Sequence, residues 1–309
     1  MTDLNEWVSS KRNLFQGQIL WDEPLSRHTY YRIGGPAKLM LVPSGYEDLK
    51  WIHDLLKETN AQHFILGLGS NLLVSDLGYS GVVIKTTRVD ISIREEQSDG
   101  ALSIVTGASV ANSSLLRRAA QEGWSGFEFL VGIPGSIGGA VWMNAGTFLG
   151  ETAAHLKSAK TFRLKEGTIH THKDSQLRYE YRKNLFLTED EVVLSATWNV
   201  QKENPDLVKL KIDDLLKRRK ATQPIEYPSC GSVFKNPPQI SAWQVVDQLG
   251  LRGFKIGAAQ ISEKHSNFIV NLGGAKASDV FNLIQKIKDE AKKRMSVDLH
   301  EEVRYLGYF

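Results

Sequence analysis

Residues 227–237 form a polar segment that could handle a proton. Ser232 follows Gly231 directly, and Lys235 and Asn236 come shortly afterwards. A hydroxyl is a poor acid or base in water and becomes useful only where a neighbouring cation or donor stabilises its alkoxide. No G-x-S-x-G motif surrounds Ser232, so a hydrolase nucleophile has no support. Cys230 is either a thiol nucleophile or, more simply, a small apolar residue.

Charged side chains that could hold a carboxylate occur at two further places. Arg182 lies between an aromatic residue and a lysine, and an arginine can grip a carboxylate through two parallel hydrogen bonds. The alternative is a surface charge at a strand edge. Residues 300–307 alternate like a strand, which would place Glu302 and Arg304 on one face. These two residues either neutralise each other or line a site.

Two glycine-rich loops could hold a diphosphate. Residues 65–73 follow a predicted strand, and residues 131–146 contain five glycines. Glycine lets the backbone come close to a ligand, and successive N–H groups can form a concave anion site. Neither loop matches a Rossmann fingerprint or a P-loop. The alternatives are two unrelated structural loops or one long ligand, such as FAD, held by both.

The candidate cofactor-binding residues come mainly from these loops, and Arg32, just before the first predicted strand, is a weaker candidate. They are Arg32, Gly67, Gly69, Ser70, Asn71, Leu72, Gly132, Ile133, Pro134, Gly135, Ser136, Gly138, Gly139, Ala140, Asn144, Ala145 and Gly146.

Composition excludes several classes of protein. The chain has 309 residues and a net charge of +3, which is too weak a bias to indicate a nucleic-acid partner. One cysteine excludes internal disulfides, and the spacing of the eight histidines predicts no metal site. Residues 129–150 carry no charge but contain six glycines, so we expect a loop and no membrane span. No secretory signal is visible, and a cytoplasmic location is expected.

Hydrophobic periodicity predicts the elements that must position these residues. Ser44 and Glu47 form a capping-box pattern before a helix. The order of elements predicts units at 1–86, 87–204 and 205–309. The predicted strands are 38–42, 63–66, 82–85, 102–106, 159–164 and 192–200, and the other helices are 109–122, one from Asn204-Pro205 and one from Ser278.

Six pieces, in order, resemble the UDP-N-acetylenolpyruvoylglucosamine reductase family, flavoenzymes of peptidoglycan synthesis. The similarity covers about residues 25–307. The region 182–220 has no room for an extra tyrosine loop, so the chain resembles the shorter subtype. The six pieces are 67–76, 132–146, 181–182, 231–237, 257–271 and 302–307.

The resemblance implies an α+β fold. It consists of an FAD-binding two-domain body of the vanillyl-alcohol-oxidase (PCMH) type, 1–86 and 87–204, and a C-terminal α+β substrate-binding domain, 205–309. The C-terminal strand is expected to return to the active site. Peptidoglycan synthesis links the chain to cell-wall biogenesis, cell shape and cell division.

The resemblance also implies the chemistry. Hydride passes from NADPH, through non-covalently bound FAD, to the β-carbon of the enolpyruvyl group of UDP-N-acetylglucosamine enolpyruvate. Ser232 then donates a proton to the α-carbon, while Arg182 and Glu302 complete the catalytic set. An arginine that stabilises the developing enolate more than the ground state lowers the barrier. The implied substrate-binding residues are Lys235, Asn236, His265, Arg304, Arg218 and Lys220.

The chain departs from the family pattern at a few positions. Tyr30-Tyr31-Arg32 replaces a more usual Thr-Thr/Ser-Phe-Arg pattern, Cys230 stands where alanine is common, and Asn184 stands where serine is usual. None of these is a proposed catalytic residue. Two alternatives stay open: a flavin oxidase of the same superfamily that uses oxygen, and a non-catalytic nucleotide-binding module. The expected partner is the small-molecule UDP-sugar, with no nucleic acid and no membrane, and a monomer is favoured.

Overall fold

The computed structural model describes residues 2–98 and 101–309, which form two compact units. The first unit comprises Met1–Leu20, Leu39–Leu68 and Gly81–Lys217. The second comprises Trp21–Lys38, Gly69–Ser80 and Arg218–Phe309. The predicted division into 1–86, 87–204 and 205–309 stays a prediction.

The described residues form α-helices and β-strands along the whole chain. The α-helices of the described residues are α1 (Leu4–Lys11), α2 (Tyr46–Thr59), α3 (Asn112–Glu122), α4 (Ile137–Met143), α5 (Thr152–His155), α6 (Pro205–Thr222), α7 (Ala242–Gln248) and α8 (Ala277–Met295). The strands are β1 (Gln18–Pro24), β2 (Pro36–Val42), β3 (His63–Leu66), β4 (Leu72–Val74), β5 (Tyr79–Lys85), β6 (Ile93–Ser98), β7 (Ala101–Gly107), β8 (Trp124–Ser125), β9 (Gly146–Thr147), β10 (Gly150–Glu151), β11 (Leu156–Arg163), β12 (Thr168–Lys173), β13 (Tyr179–Glu180), β14 (Lys183–Asn184), β15 (Glu191–Asn199), β16 (Gln201–Lys202), β17 (Lys255–Ile256), β18 (Ala259–Ile261), β19 (Ile269–Asn271) and β20 (Arg304–Leu306).

The first unit contains a five-stranded antiparallel sheet in the order β12-β11-β15-β7-β6. Its core includes the apolar stripe of α3, where Leu115, Leu116 and Ala119 are buried as predicted. Gly123 ends this helix in the left-handed conformation. Because α3 and α4 share this core, the second glycine loop is held against the sheet.

A second core of the first unit surrounds α2 and the parallel pair β3 and β5. The predicted N-cap, Ser44, is wrong by one residue, because Gly45 directly precedes the helix. The backbone N–H and the hydroxyl of Ser44 both donate to Asp48 Oδ2 at 2.8 Å. Asp48, which also accepts from the backbone of Gln16, therefore closes this turn in place of Glu47.

The second unit is built from α7, α8, the antiparallel sheet β17-β18-β19 and the parallel pair β4 and β20. The predicted stripe of α8 is buried at Val280, Ile284 and Ile287. The strand predicted over 300–307 is much shorter, since only β20 and an isolated bridge from Glu301 to Phe234 form.

Strand alternation therefore does not place Glu302 and Arg304 on one face. The backbone changes partner between them. Glu302 N–H donates to Val233 O, and Arg304 N–H donates to Asn71 O.

Among residues 2–98 and 101–309, no helix has the length and apolar character needed to cross a bilayer. The same residues contain no group of three or more His, Cys, Asp or Glu side chains arranged to hold a metal ion.

Candidate active site

Gly67 of the first glycine loop and Ser136 of the second lie close together within the first unit. A Cβ atom on Gly67 would lie 3.1 Å from Ser136 Oγ, and one on Gly139 would lie 3.7 Å from the same oxygen. Ser136 is buried. The absence of side chains at these glycines keeps the backbone of both loops open around Ser136.

The start of α4 presents backbone donors. In the described part of the chain, the N–H groups of Gly135, Ser136 and Gly139 donate to no backbone or side-chain acceptor. Such N–H groups in a tight turn before a helix attract phosphate oxygens. Because glycine stands at two of these positions, little side-chain bulk covers the donors. This arrangement fits a diphosphate group such as that of FAD.

Arg182 occupies the turn between β13 and β14 in a left-handed conformation, with φ of 56°. Its guanidinium donates to Gly146 O at 2.7 Å and to Asn144 O at 3.4 Å, and it lies 4.8 Å from the ring centre of Tyr181. A non-glycine residue in this region is strained and needs support from its surroundings. The structure thus brings Arg182 to the end of the second glycine loop.

Three side chains join this hairpin to the same loop. Asn144 Nδ2 donates to Glu180 O at 3.0 Å, and Asn184 Nδ2 donates to Trp142 O at 2.8 Å. The hydroxyl of Tyr179 donates to Val141 O at 3.1 Å, and burial raises the pKa of this tyrosine. Asn184, one of the departures from the family pattern, therefore has a structural role.

Ser232 lies in the second unit, in a loop with fixed backbone. Gly231 before it has φ of 81°, a conformation that a side chain would strain. Val233 N–H donates to Asn267 O at 2.8 Å. The side chain of Asn267 accepts from Phe234 N–H at 3.0 Å and donates to Phe234 O at 2.9 Å. The sequence does not reveal Asn267 as a site residue, because only the folded loop shows which amide binds its backbone.

Glu302 is attached directly beside this loop. Its N–H donates to Val233 O at 2.8 Å, and Asn71 Nδ2 donates to Glu302 O at 3.0 Å. Ser232 and Glu302 are both half-buried. Within the second unit, hydrogen bonds therefore connect the end of the first glycine loop, the Ser232 loop and Glu302.

Cys230 and Tyr31 are buried in the same core as Val233. Burial raises the pKa of the Cys230 thiol to about 12. The hydroxyl of Tyr31 donates to Ile269 O at 2.9 Å, and burial, followed by the adjacent Cys230, raises its pKa. Since the thiolate is the reactive form of cysteine, this environment favours the apolar interpretation of Cys230.

The predicted substrate-binding residues also lie in the second unit. Asn236 Oδ1 accepts from Ala242 N–H at the start of α7 at 3.0 Å. Arg218, Lys220 and Arg304 are exposed, and burial lowers the pKa of His265.

Arg219 is not among the predicted substrate-binding residues, although it lies between two of them. It is less exposed than either neighbour, and burial lowers the pKa of its guanidinium to about 10. Its Nε donates to Gln223 Oε1 at 2.7 Å. A run of four consecutive cations does not reveal which of them the fold will bury.

The remaining cofactor candidates are divided between the units. Arg32, Gly69, Ser70, Asn71 and Leu72 belong to the second unit, whereas Gly67 and residues 132–146 belong to the first. Arg32 has φ of 55°. The roles assigned to individual site residues stay predictions.

Comparison with known proteins decides the family. Residues 37–173 match the family described as FAD binding domain, and residues 223–306 match the family described as UDP-N-acetylenolpyruvoylglucosamine reductase, C-terminal domain. A UDP-N-acetylenolpyruvoylglucosamine reductase from Clostridium botulinum is 39% identical over 290 residues, which cover 94% of this chain and 92% of the relative. The chain belongs to the UDP-N-acetylenolpyruvoylglucosamine reductase family. A further reductase, from Trichlorobacter lovleyi, is 40% identical over 295 residues, which cover 96% of this chain and 95% of the relative.

Solved structures agree with this family and its fold. The crystal structure of the reductase from Thermus caldophilus matches with a TM-score of 0.78 and 32% identity, covering 94% of this chain and 99% of that chain. A VAO-type flavoprotein from Myceliophthora thermophila matches in fold with a TM-score of 0.50 and 15% identity, covering 65% of this chain and 47% of that chain. The predicted α+β fold with an FAD-binding body, and FAD as the cofactor, are confirmed.

Proposed function

We propose that this protein reduces UDP-N-acetylglucosamine enolpyruvate to UDP-N-acetylmuramate with NADPH as hydride donor. The observation that carries the proposal is its similarity, at about 40% identity over more than nine-tenths of the chain, to curated reductases of this name. The reaction adds a hydride to the β-carbon and a proton to the α-carbon of the enolpyruvyl group. The residues proposed for this chemistry are present.

The loops of the first unit would hold the cofactor. Bound FAD supplies the hydride relay between NADPH and the enolpyruvyl group. The N–H groups of Gly135, Ser136 and Gly139 would bind its diphosphate. Gly67 and Gly139 leave room beside Ser136.

Arg182 would stabilise the negative charge that develops on the substrate carboxylate. Its guanidinium is already oriented by Gly146 O and Asn144 O. A charge that is held in place before the reaction stabilises the transition state without reorganisation. This explains why a strained arginine is supported at the end of a cofactor loop.

Ser232 would donate the proton to the α-carbon. The hydrogen bonds from Asn267 hold the backbone after Ser232 in place, so the Ser232 side chain extends from a fixed position. Glu302, whose backbone is bonded to Val233, would complete the catalytic set with Ser232 and Arg182. Proton transfer from a positioned group contributes roughly 100- to 10,000-fold in rate.

We also propose a metabolic role and a cellular location for the enzyme. The UDP-sugar is the partner, and the product is a peptidoglycan precursor. We include a cytoplasmic location, because the single cysteine suits a reducing compartment, and we include a monomeric state.

Product analysis under nitrogen tests the proposal. The holoenzyme is incubated with NADPH and UDP-N-acetylglucosamine enolpyruvate, and NADPH loss and product mass are followed. The proposal predicts a product heavier by two hydrogen atoms, formed in an amount equal to the NADPH consumed. NADPH oxidation that requires oxygen and leaves the UDP-sugar unchanged would instead indicate a flavin oxidase.

A further inference from the structure

Asn112 lies at the start of α3, beside the second glycine loop. It is buried, with 1% of its surface exposed. Its backbone N–H donates to Gly135 O at 2.9 Å, and its Nδ2 donates to Ile133 O at 3.1 Å. Asn112 is therefore bonded to the loop at Ile133 O and at Gly135 O, next to the N–H groups of Gly135 and Ser136.

The other side-chain atom of Asn112 has no partner. Among the described residues, Asn112 Oδ1 is one of two buried side-chain polar atoms that form no hydrogen bond. A buried acceptor without a donor destabilises the folded state, so native proteins rarely retain one. A donor that does not belong to this chain would remove this cost.

The surroundings of Asn112 identify the class of donor. Residues 108–112 run antiparallel to residues 135–138, with Ile137 N–H donating to Val110 O at 2.9 Å and Gly138 N–H donating to Ala108 O at 2.8 Å. These bonds use the N–H groups of Asn112, Ile137 and Gly138, and none of the described residues supplies a donor to Asn112 Oδ1. The adjoining glycine loop fits FAD, and FAD carries hydroxyl groups on its ribityl chain and ribose.

We propose that Asn112 is a cofactor-positioning residue, whose Oδ1 accepts a hydrogen bond from a hydroxyl group of bound FAD while its Nδ2 holds the loop at Ile133. The inference rests on FAD binding and does not depend on the identity of the enolpyruvyl substrate. It explains why a polar residue is buried at a position where an apolar one would avoid an unpaired acceptor.

Competition between flavins tests this inference in the holoenzyme. FAD and analogues that each lack one hydroxyl of the ribityl chain or ribose compete for the protein, and the bound fraction of each is measured after denaturation. We expect the wild type to prefer FAD over one analogue by about tenfold, the range of a single hydrogen bond. In Asn112→Leu this preference should fall to about one, and FAD should dissociate about tenfold faster.

Ser113→Ala is the matched control, because Ser113 is the exposed neighbour in the same helical turn. It should keep the wild-type preference. Asn112→Ala serves in the same competition if the leucine variant does not fold. Equal losses for every analogue in the wild type and the variant would overturn the inference, since a buried water or the loop contact alone produces that result. Because the readout is flavin binding, it is independent of whether the enzyme reduces the UDP-sugar.

Discussion

Ser232 owes its defined position to neighbours that lie far away in sequence. Asn267 binds the backbone of Val233 and Phe234 directly after Ser232, and Glu302 N–H binds Val233 O. Ser232 is half-buried. A single residue is thus held by two segments that the fold brings to it, which is the arrangement that a proton donor requires.

Ser232→Ala should separate the two halves of the reaction. Reduction of the flavin by NADPH should keep its wild-type rate, because it needs no proton from Ser232. Product formation should fall by roughly 100- to 10,000-fold, the usual contribution of a general acid. Stopped-flow absorbance measures each half under nitrogen. Ser229→Ala, in the same loop, is the control, and normal turnover by the Ser232 variant would remove this residue from the mechanism.

Burial of Cys230 should make the free energy of unfolding decrease as the pH rises into the alkaline range. Burial raises the pKa of its thiol from an ordinary value of 9.0 to about 12. Between these values the unfolded thiol ionises while the folded thiol stays protonated, so the free energy of unfolding should fall by about 1.4 kcal/mol per pH unit as pH rises. Denaturant titrations of the wild type and Cys230→Ala from pH 8 to pH 11 measure the difference. Parallel pH profiles of the two proteins would show that the thiol is not protected.

At the scale of elements, the first turn of α4 contains a glycine that lowers helix stability and leaves the neighbouring backbone N–H groups uncovered. Gly139 lies inside this helix, and an added Cβ would meet only Ser136 Oγ, at 3.7 Å. Glycine within a helix is less stable than alanine by about 0.5–1 kcal/mol. The chain therefore retains a weak helical residue where we expect the cofactor to approach.

Gly139→Ala should raise protein stability and weaken FAD binding. The free energy of unfolding of the flavin-free protein should rise by about 0.5–1 kcal/mol. The added methyl group should weaken FAD binding by roughly tenfold or more, because it covers the N–H groups of Gly135, Ser136 and Gly139. Urea denaturation and flavin fluorescence titration measure the two effects. Gly138→Ala is the contrasting variant, since its Cβ would lie 3.2 Å from Ala108 Cβ and should destabilise the protein.

The β13–β14 hairpin and the end of the second glycine loop act as one element through Asn144. This residue is fully buried, has φ of 48°, and bonds Glu180 O and Ala153 N–H. Asn144 therefore contributes to this element through both its left-handed backbone conformation and its side-chain hydrogen bonds.

Asn144→Ala should destabilise the protein by about 3 kcal/mol, because two hydrogen bonds are lost and alanine is strained at positive φ. Asn144→Gly loses the same bonds without the conformational strain and should cost about 1 kcal/mol less. Thermal and urea unfolding measure these differences. Equal stability of the alanine and glycine variants would contradict the role of the left-handed conformation.

Local pattern predicts some of these elements well and others poorly. The stripes of α3 and α8 and the strand His63–Leu66 follow from periodicity. The length of β20 does not, because its neighbours along 300–303 bond to residues 233–235 and only then does the chain pair with β4. Similarly, the clamp by Asn267 and the burial of Arg219 depend on contacts between distant segments, which spacing does not encode.

At the scale of the whole molecule, bound FAD should act as a removable stabiliser. The resemblance implies non-covalent binding, so acid precipitation should leave the flavin in the supernatant. A ligand that binds only the folded state stabilises it by about 2.7 kcal/mol at 100 times its Kd. The unfolding temperature should therefore rise with added FAD in a scanning experiment. Yellow colour that stays in the precipitate would contradict non-covalent binding.

The two-domain match along the chain explains why the function could be predicted from sequence. The FAD binding domain covers 37–173 and the reductase C-terminal domain covers 223–306, and the six ordered pieces lie mostly within these ranges. The sequence does not show which distant segments form one unit. The second unit includes Trp21–Lys38 and Gly69–Ser80 besides Arg218–Phe309, because pairs such as β4 and β20 connect residues that are far apart in sequence.

The measurement that tests the account most directly follows the flavin spectrum without oxygen. The holoenzyme is reduced with NADPH under nitrogen, and UDP-N-acetylglucosamine enolpyruvate is then added. We expect prompt return of the oxidised flavin spectrum, together with UDP-N-acetylmuramate in an amount equal to the enzyme. A flavin that stays reduced until air is admitted would contradict the proposed reductase activity and assign the protein to the oxidases.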